Sequence, residues 1–171
     1  MNQTSLLPMR ILSLSLLFAA LIATAGCGGG DGGSSSSSSD AASEAVTEVT
    51  ITPAGNQMKF EQTEFTVPAG EEITLTFENT ATSPAMKHNV VLLTTDEGAV
   101  VTRVGQAGTQ AADNEYIPDD DAVLAATGLA APGETVSVTF TAPSEPGSYR
   151  YICTFPGHYA TMQGTMTVVS S

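Results

Sequence analysis

Tyr151-Ile152-Cys153-Thr154-Phe155-Pro156-Gly157-His158-Tyr159-Ala160-Thr161-Met162-Gln163-Gly164 is the stretch on which the reading of this chain turns. It lies between two strand-like runs, Ser148 to Cys153 after the turn signal Pro146-Gly147, and Thr165 to Val169 at the end of the chain. Cys153 therefore ends one strand and Gln163-Gly164 begins the next, so the loop between them can fold a thiol, an imidazole and a thioether around one point. Working outward, Val46 to Thr52, Glu64 to Val67, Glu72 to Glu78 and Thr135 to Thr141 alternate apolar and polar residues, and His88 to Thr94 is a nearly continuous apolar run. Pro68-Ala69-Gly70 and Pro132-Gly133 punctuate them. Short alternating runs at this spacing predict an all-β antiparallel sandwich or barrel. Thr95 to Pro132 breaks the pattern and reads as a short helix or flap insertion. Within it Glu97 to Gln106 predicts a helix with Val100, Val101 and Val104 on one side, and Asp119-Asp120-Asp121 a solvated turn.

Thiolate, imidazole and thioether are the donors that suit copper in both its oxidation states, and a trigonal pair of histidines and a cysteine with a distant axial Met is the electron-transfer arrangement. The chain has two histidines. His88 opens the most apolar run, and period-2 geometry puts it on one face with Val90 and Leu92, at the mouth of a core. The candidate metal ligands are thus His88, Cys153, His158 and Met162. Taken singly, each has a plainer explanation: Cys153 as a buried thiol, Met162 as core filler, a histidine as structure. Zinc is the alternative metal, although it prefers four firm ligands. No Ser/His/Asp set can be assembled, and a second metal centre would need further His or Cys, so the reading is a non-enzyme.

The first residues carry Arg10, the apolar run Ile11 to Ile22 and small residues leading to Thr24-Ala25-Gly26-Cys27. That is the layout of an export signal, too short in its apolar part to span a bilayer. The Thr-Ala-Gly-Cys ending resembles a bacterial lipobox, which makes residues 1–26 a lipoprotein signal peptide and Cys27 the lipidated residue; plain secretion is the alternative. Residues 27–45 read as a lipid-anchored Gly/Ser-rich tether. Its Gly28 to Asp40 part has nothing to bury and a root-mean-square reach of roughly 20 Å. Residues 46–171 form one domain. All 18 acidic residues follow Cys27. The exported part keeps only Lys59, Lys87, Arg103 and Arg150 as positive charges, close to −14 overall. Such a head repels nucleic acid and suits a partner with a positive docking surface, or serves solubility. With Cys27 lipidated, Cys153 has no disulfide partner in an oxidising compartment, which is a second pointer to a metal.

The Cys153-Thr154-Phe155-Pro156-Gly157-His158 loop with Met162 four residues on resembles the copper loop of the azurins. With the lipobox, the tether, Tyr159 and Met162-Gln163-Gly164, it is more similar still to the auracyanins, membrane-tethered blue copper proteins of filamentous green phototrophic bacteria. His88-Asn89 after Ser83-Pro84-Ala85-Met86-Lys87 resembles the first ligand and its neighbour in both groups; the azurin Gly before that ligand is Lys87 here. The resemblance implies a Greek-key cupredoxin β-sandwich with one type 1 copper ion held by His88, Cys153, His158 and Met162. It further implies that backbone N–H groups of Asn89 and Phe155 point at the Cys153 sulfur, and that the Asn89 side chain ties its segment to the loop near Thr154. The edge of His158 would reach the surface among Met86, Phe155, Pro156, Gly157 and Ala160. The implied function is one-electron carriage on the exported face, periplasmic or outside the cell membrane. A quinol-oxidising complex would lie upstream and a reaction-centre cytochrome, or an oxidase, downstream. A periplasmic copper-holding or delivery protein is the alternative, and a metal-free adhesion sandwich a third reading.

Overall fold

The computed structural model describes residues Glu44–Ser170. The proposed signal, Cys27 and nearly all of the tether lie outside the described residues. Among the described residues eight strands build two facing sheets, accompanied by one α-helix and one short 3-10 helix. The smaller has the order β1 (Glu48–Ile51), β3 (Glu72–Glu78), β6 (Thr135–Thr141). The larger runs β2 (Glu64–Pro68), β8 (Gln163–Val169), β7 (Gly147–Ile152), β4 (Val91–Leu93), β5 (Val123–Ala126). Successive strands β2 and β3, and again β5, β6 and β7, change sheets, so of the sandwich or barrel that the alternation predicts this is the sandwich, in the all-β Greek-key form that the resemblance implies.

Alternation decides which side chains form the core. In β3, Ile73, Leu75 and Phe77 are buried while Thr74 and Thr76 face out, where their hydroxyls meet Thr139 and Ser137 of β6. Opposite them, Phe65 and Val67 of β2 sit in register with Met166 and Val168 of β8. These side chains join Phe60, Val90, Leu92, Tyr151, Cys153 and Met162 in one continuous core. Fully burying an aliphatic or aromatic side chain contributes about 1.5–3 kcal/mol, so this layer dominates the stability of the sandwich.

Two features depart from the antiparallel expectation. β1 runs parallel to β3, and β2 runs parallel to β8. Each parallel pair joins strands of one sheet that are not consecutive in the chain, a pairing that local turn signals do not encode. The apolar run from His88 is also a true strand only over Val91–Leu93. It is buried on both faces because α1 (Gly98–Gln110) covers its outer side: Val91, Leu93 and Ile152 pack with Val101 and Val104. The helix thus extends four residues beyond the expected Gln106. β5, inside the supposed flap, pairs with β4 as the sheet edge. Asp120 in the acidic turn is largely covered and forms an ion pair with Arg103, rather than being wholly solvated.

Candidate metal centre

The loop between β7 and β8 is shaped by three backbone devices. The N–H of His158 bonds the carbonyl of Phe155 at 3.0 Å, closing a turn with Pro156 and Gly157 at its centre. Gly157 has φ +85°, the left-handed position that a type II turn gives to glycine, with proline before it. One helical turn follows, with Thr161 and Met162 N–H groups on the carbonyl of His158 at 3.0 and 2.8 Å. Finally the N–H of Cys153 donates to the carbonyl of Met162 at 3.0 Å, pinching the loop shut. Cys153, His158 and Met162 are therefore brought together by the chain's own path.

His88 arrives from the other side. Its N–H and carbonyl pair with Ala130 at 3.1 and 2.8 Å, and the buried Asn79 amide donates to the carbonyls of both Ala130 and Met86. That fixes the segment before β4 although it is not a strand. The expected parity holds: Val90 and Leu92 lie in the main core, and the His88 ring meets Phe77 edge-on at 6.2 Å.

Three of the four candidate side chains converge. His88 Nδ1 and His158 Nδ1 are 3.1 Å apart, and Cys153 Sγ lies 3.7 and 3.6 Å from them. A point in the plane of that triangle is about 2.0 Å from all three donors, close to the metal–nitrogen and metal–sulfur bond lengths of about 2.0–2.3 Å. They form a group able to hold a metal ion. Met162 is fully buried in the same core as Cys153.

Electrostatics suit a metal. Burial pulls the pKa of His88 down to about 4, with the neighbouring His158 adding to the effect, and burial lowers His158 too. Both imidazoles are thus neutral at pH 7, with lone pairs available. Burial pushes the Cys153 thiol up to about 12, opposed by backbone N–H groups of Asn89 and Phe155 that donate to the sulfur. Without a cation the site disfavours the thiolate, and a divalent ion supplies the missing charge. The other ring nitrogen of His88, Nε2, is buried without a hydrogen-bond partner, as expected of a ring turned to present Nδ1.

The Asn89 side chain ties the two segments as expected. Its Oδ1 accepts the N–H of Thr154 at 2.9 Å and its Nδ2 donates to Thr154 Oγ1 at 3.0 Å. Further partners were not foreseen: Nδ2 also reaches the carbonyl of Glu115 at 3.1 Å, and Thr154 Oγ1 donates to that of Tyr116 at 2.6 Å. Gly105 and Gly108 of α1 also lie under the loop; a Cβ on them would fall 2.4 Å from the Tyr159 ring and 2.6 Å from Thr154. No local motif marks these contacts.

At the surface, His158 is 4 % exposed, whereas His88, Cys153 and Met162 are at zero. Pro156, Gly157 and Ala160 around it are exposed, and Met86 and Phe155 half-buried.

A two-sheet sandwich with a buried Cys/His₂ cluster, two of its members on the β7–β8 loop and His88 just before β4, is the architecture of a mononuclear copper protein. The chain belongs to the plastocyanin/azurin family of copper binding proteins, whose model matches residues 47–169. It is 43% identical to Auracyanin-A of Chloroflexus aurantiacus, over 94% of this chain and 97% of that protein. It is 40% identical to Outer membrane protein H.8 of Neisseria meningitidis, over 59% of this chain and 56% of that one. Among solved structures, dithionite-reduced auracyanin from Roseiflexus castenholzii superposes with a TM-score of 0.68 at 38% identity, covering 73% of this chain and 98% of that chain. Copper is accordingly the cofactor, and the protein is an electron-transfer protein rather than an enzyme.

Proposed function

We propose that this chain is a one-electron carrier that works at the exported face of a cell membrane, in which His88, Cys153, His158 and Met162 would hold the copper ion. The observation that carries the reading is the triangle of Nδ1, Nδ1 and Sγ, assembled from segments 65 residues apart. Bound copper supplies a one-electron couple. The protein holds the donors still: Asn79 and Ala130 fix His88, Asn89 locks its segment to the loop, and the Met162 carbonyl fixes Cys153. The Asn89 and Phe155 N–H groups draw charge from the sulfur, which raises the potential. The edge of His158, in its small ring of exposed apolar residues, is where an electron crosses to a partner. Small interfaces of that kind suit brief redox encounters.

Residues 1–26 are proposed as a lipoprotein signal, Cys27 as the lipid anchor, 27–45 as tether and 46–171 as the copper domain. The family likeness to auracyanins supports a membrane-bound quinol-oxidising complex as donor and a cytochrome or reaction centre, or an oxidase, as acceptor. A relative named as an outer membrane protein supports the exported location. Adding Cu(II) to the metal-free protein is expected to give an intense blue colour that ascorbate bleaches, absent in Cys153→Ser. A pale adduct would point to a copper-holding protein instead. Isolated membranes should reduce and reoxidise the blue protein.

A further inference from the structure

Only two residues other than glycine have a left-handed backbone among those described, and they are consecutive: Glu115 at φ 52° and Tyr116 at φ 63°. Side chains with a Cβ disfavour that region, so two in succession need a compensating interaction. The corner follows α1 and the 3-10 turn Ala112–Asn114, and is held by the N–H of Tyr116 on the Ala111 carbonyl at 2.8 Å. Its two carbonyls turn inward. That of Glu115 takes Asn89 Nδ2 at 3.1 Å, and that of Tyr116 takes Thr154 Oγ1 at 2.6 Å. Asn89 and Thr154 are bonded to each other, and the N–H groups of Asn89 and Phe155, which flanks Thr154, donate to the Cys153 sulfur. The Tyr116 ring also packs edge-on against Phe155 at 5.1 Å. The close approach of α1 at Gly108, where a Cβ would lie 2.6 Å from Thr154 and 2.9 Å from the Tyr116 carbonyl, completes the junction.

We propose that the Glu115–Tyr116 corner is a positioning device for the metal loop: its left-handed backbone aims two carbonyls at the Asn89–Thr154 pair and so fixes the two N–H donors on the Cys153 sulfur. The insertion is thereby part of the copper site's outer framework. This rests on the copper reading above. The mechanism lies in the backbone, and the Glu115 side chain is exposed, so substitutions there separate backbone conformation from side-chain loss. Glycine and asparagine accept a left-handed backbone, and a β-branched residue resists it.

The test compares Glu115→Gly and Glu115→Asn with Glu115→Val. In the metal-free protein, hydrogen exchange of the Thr154 amide is followed by NMR. In the copper-loaded protein, the reduction midpoint and the thiolate charge-transfer band are recorded. Glycine and asparagine should match the parent. Valine should speed Thr154 exchange about tenfold, as for loss of about one net hydrogen bond. It should also shift the band and lower the midpoint, because a sulfur with looser N–H donors favours oxidised copper. Parent-like exchange and midpoint in a folded valine variant would overturn the proposal, as would a glycine variant disturbed as much as the valine one. If valine prevents folding, Glu115→Ala imposes a milder penalty and carries the same comparison. Failure of every chain, the parent included, to turn blue would remove the copper reading, and the exchange measurement would still decide this one.

Discussion

His88 shows how much of the site is written at a single residue. Its imidazole is buried with Nδ1 turned towards His158 and Cys153, and that burial, with the neighbouring ring, holds its pKa near 4 against an ordinary 6.5. The linkage follows directly. An unfolded chain protonates this residue below about pH 6.5, whereas the folded metal-free protein resists until about pH 4. The stability that neutral His88 permits is therefore complete above pH 6.5 and lost progressively as pH falls towards 4, and His158 acts with the same sign. We expect the urea midpoint of the metal-free protein to drop through this window, and a profile that stays flat from pH 7 to 4 would contradict it. The sequence made this residue legible because its parity with Val90 and Leu92 points it at the core. It said nothing of Ala130, whose backbone pairs with that of His88, or of Asn79, whose amide holds the Ala130 and Met86 carbonyls.

At the scale of elements, α1 and the metal loop are fitted to one another through the missing side chain of Gly108. Gly108→Ala is expected to destabilise the protein by about 1–3 kcal/mol, because overpacking against Thr154 and the Tyr116 carbonyl outweighs the gain of about 1 kcal/mol in helix propensity. Gly98→Ala, at the open start of the same helix with nothing within 4 Å, should be neutral or slightly stabilising. Paired urea denaturation curves decide it, and equal midpoints for the two variants would refute the close fit. The helix itself was legible from Val100, Val101 and Val104, but not its length, since Gly105 and Gly108 look like breakers until the loop they accommodate is seen. β5 escaped notice for a related reason. Val-Leu-Ala-Ala is half-buried throughout and carries no alternation to read. The left-handed corner at Glu115 and Tyr116 has no signal at all, because neither residue type announces a positive φ.

For the whole molecule the acidic balance is the dominant field. With 18 acidic residues against five basic ones, encounter with a basic redox partner should be steered electrostatically. The second-order rate of electron transfer to a basic protein acceptor is expected to fall about tenfold or more from low to high ionic strength, while that to a small neutral acceptor stays nearly constant. Stopped-flow rates over a salt series measure this; equal slopes would leave the acidity with solubility alone. The sandwich class was readable at this scale from alternation and turn residues, and the metal loop from its own spacing. The parallel pairings of β1 with β3 and of β2 with β8 were not, since each joins strands of one sheet that are not consecutive in the chain.

One further consequence follows from the burial of three candidate ligands to zero exposure and the 4 % left to His158. Whatever fills the centre and whatever empties it must come to the same doorway, one visitor at a time. Transport through this protein is then a ferry rather than a wire, and a large excess of spent donor should slow delivery simply by occupying the landing.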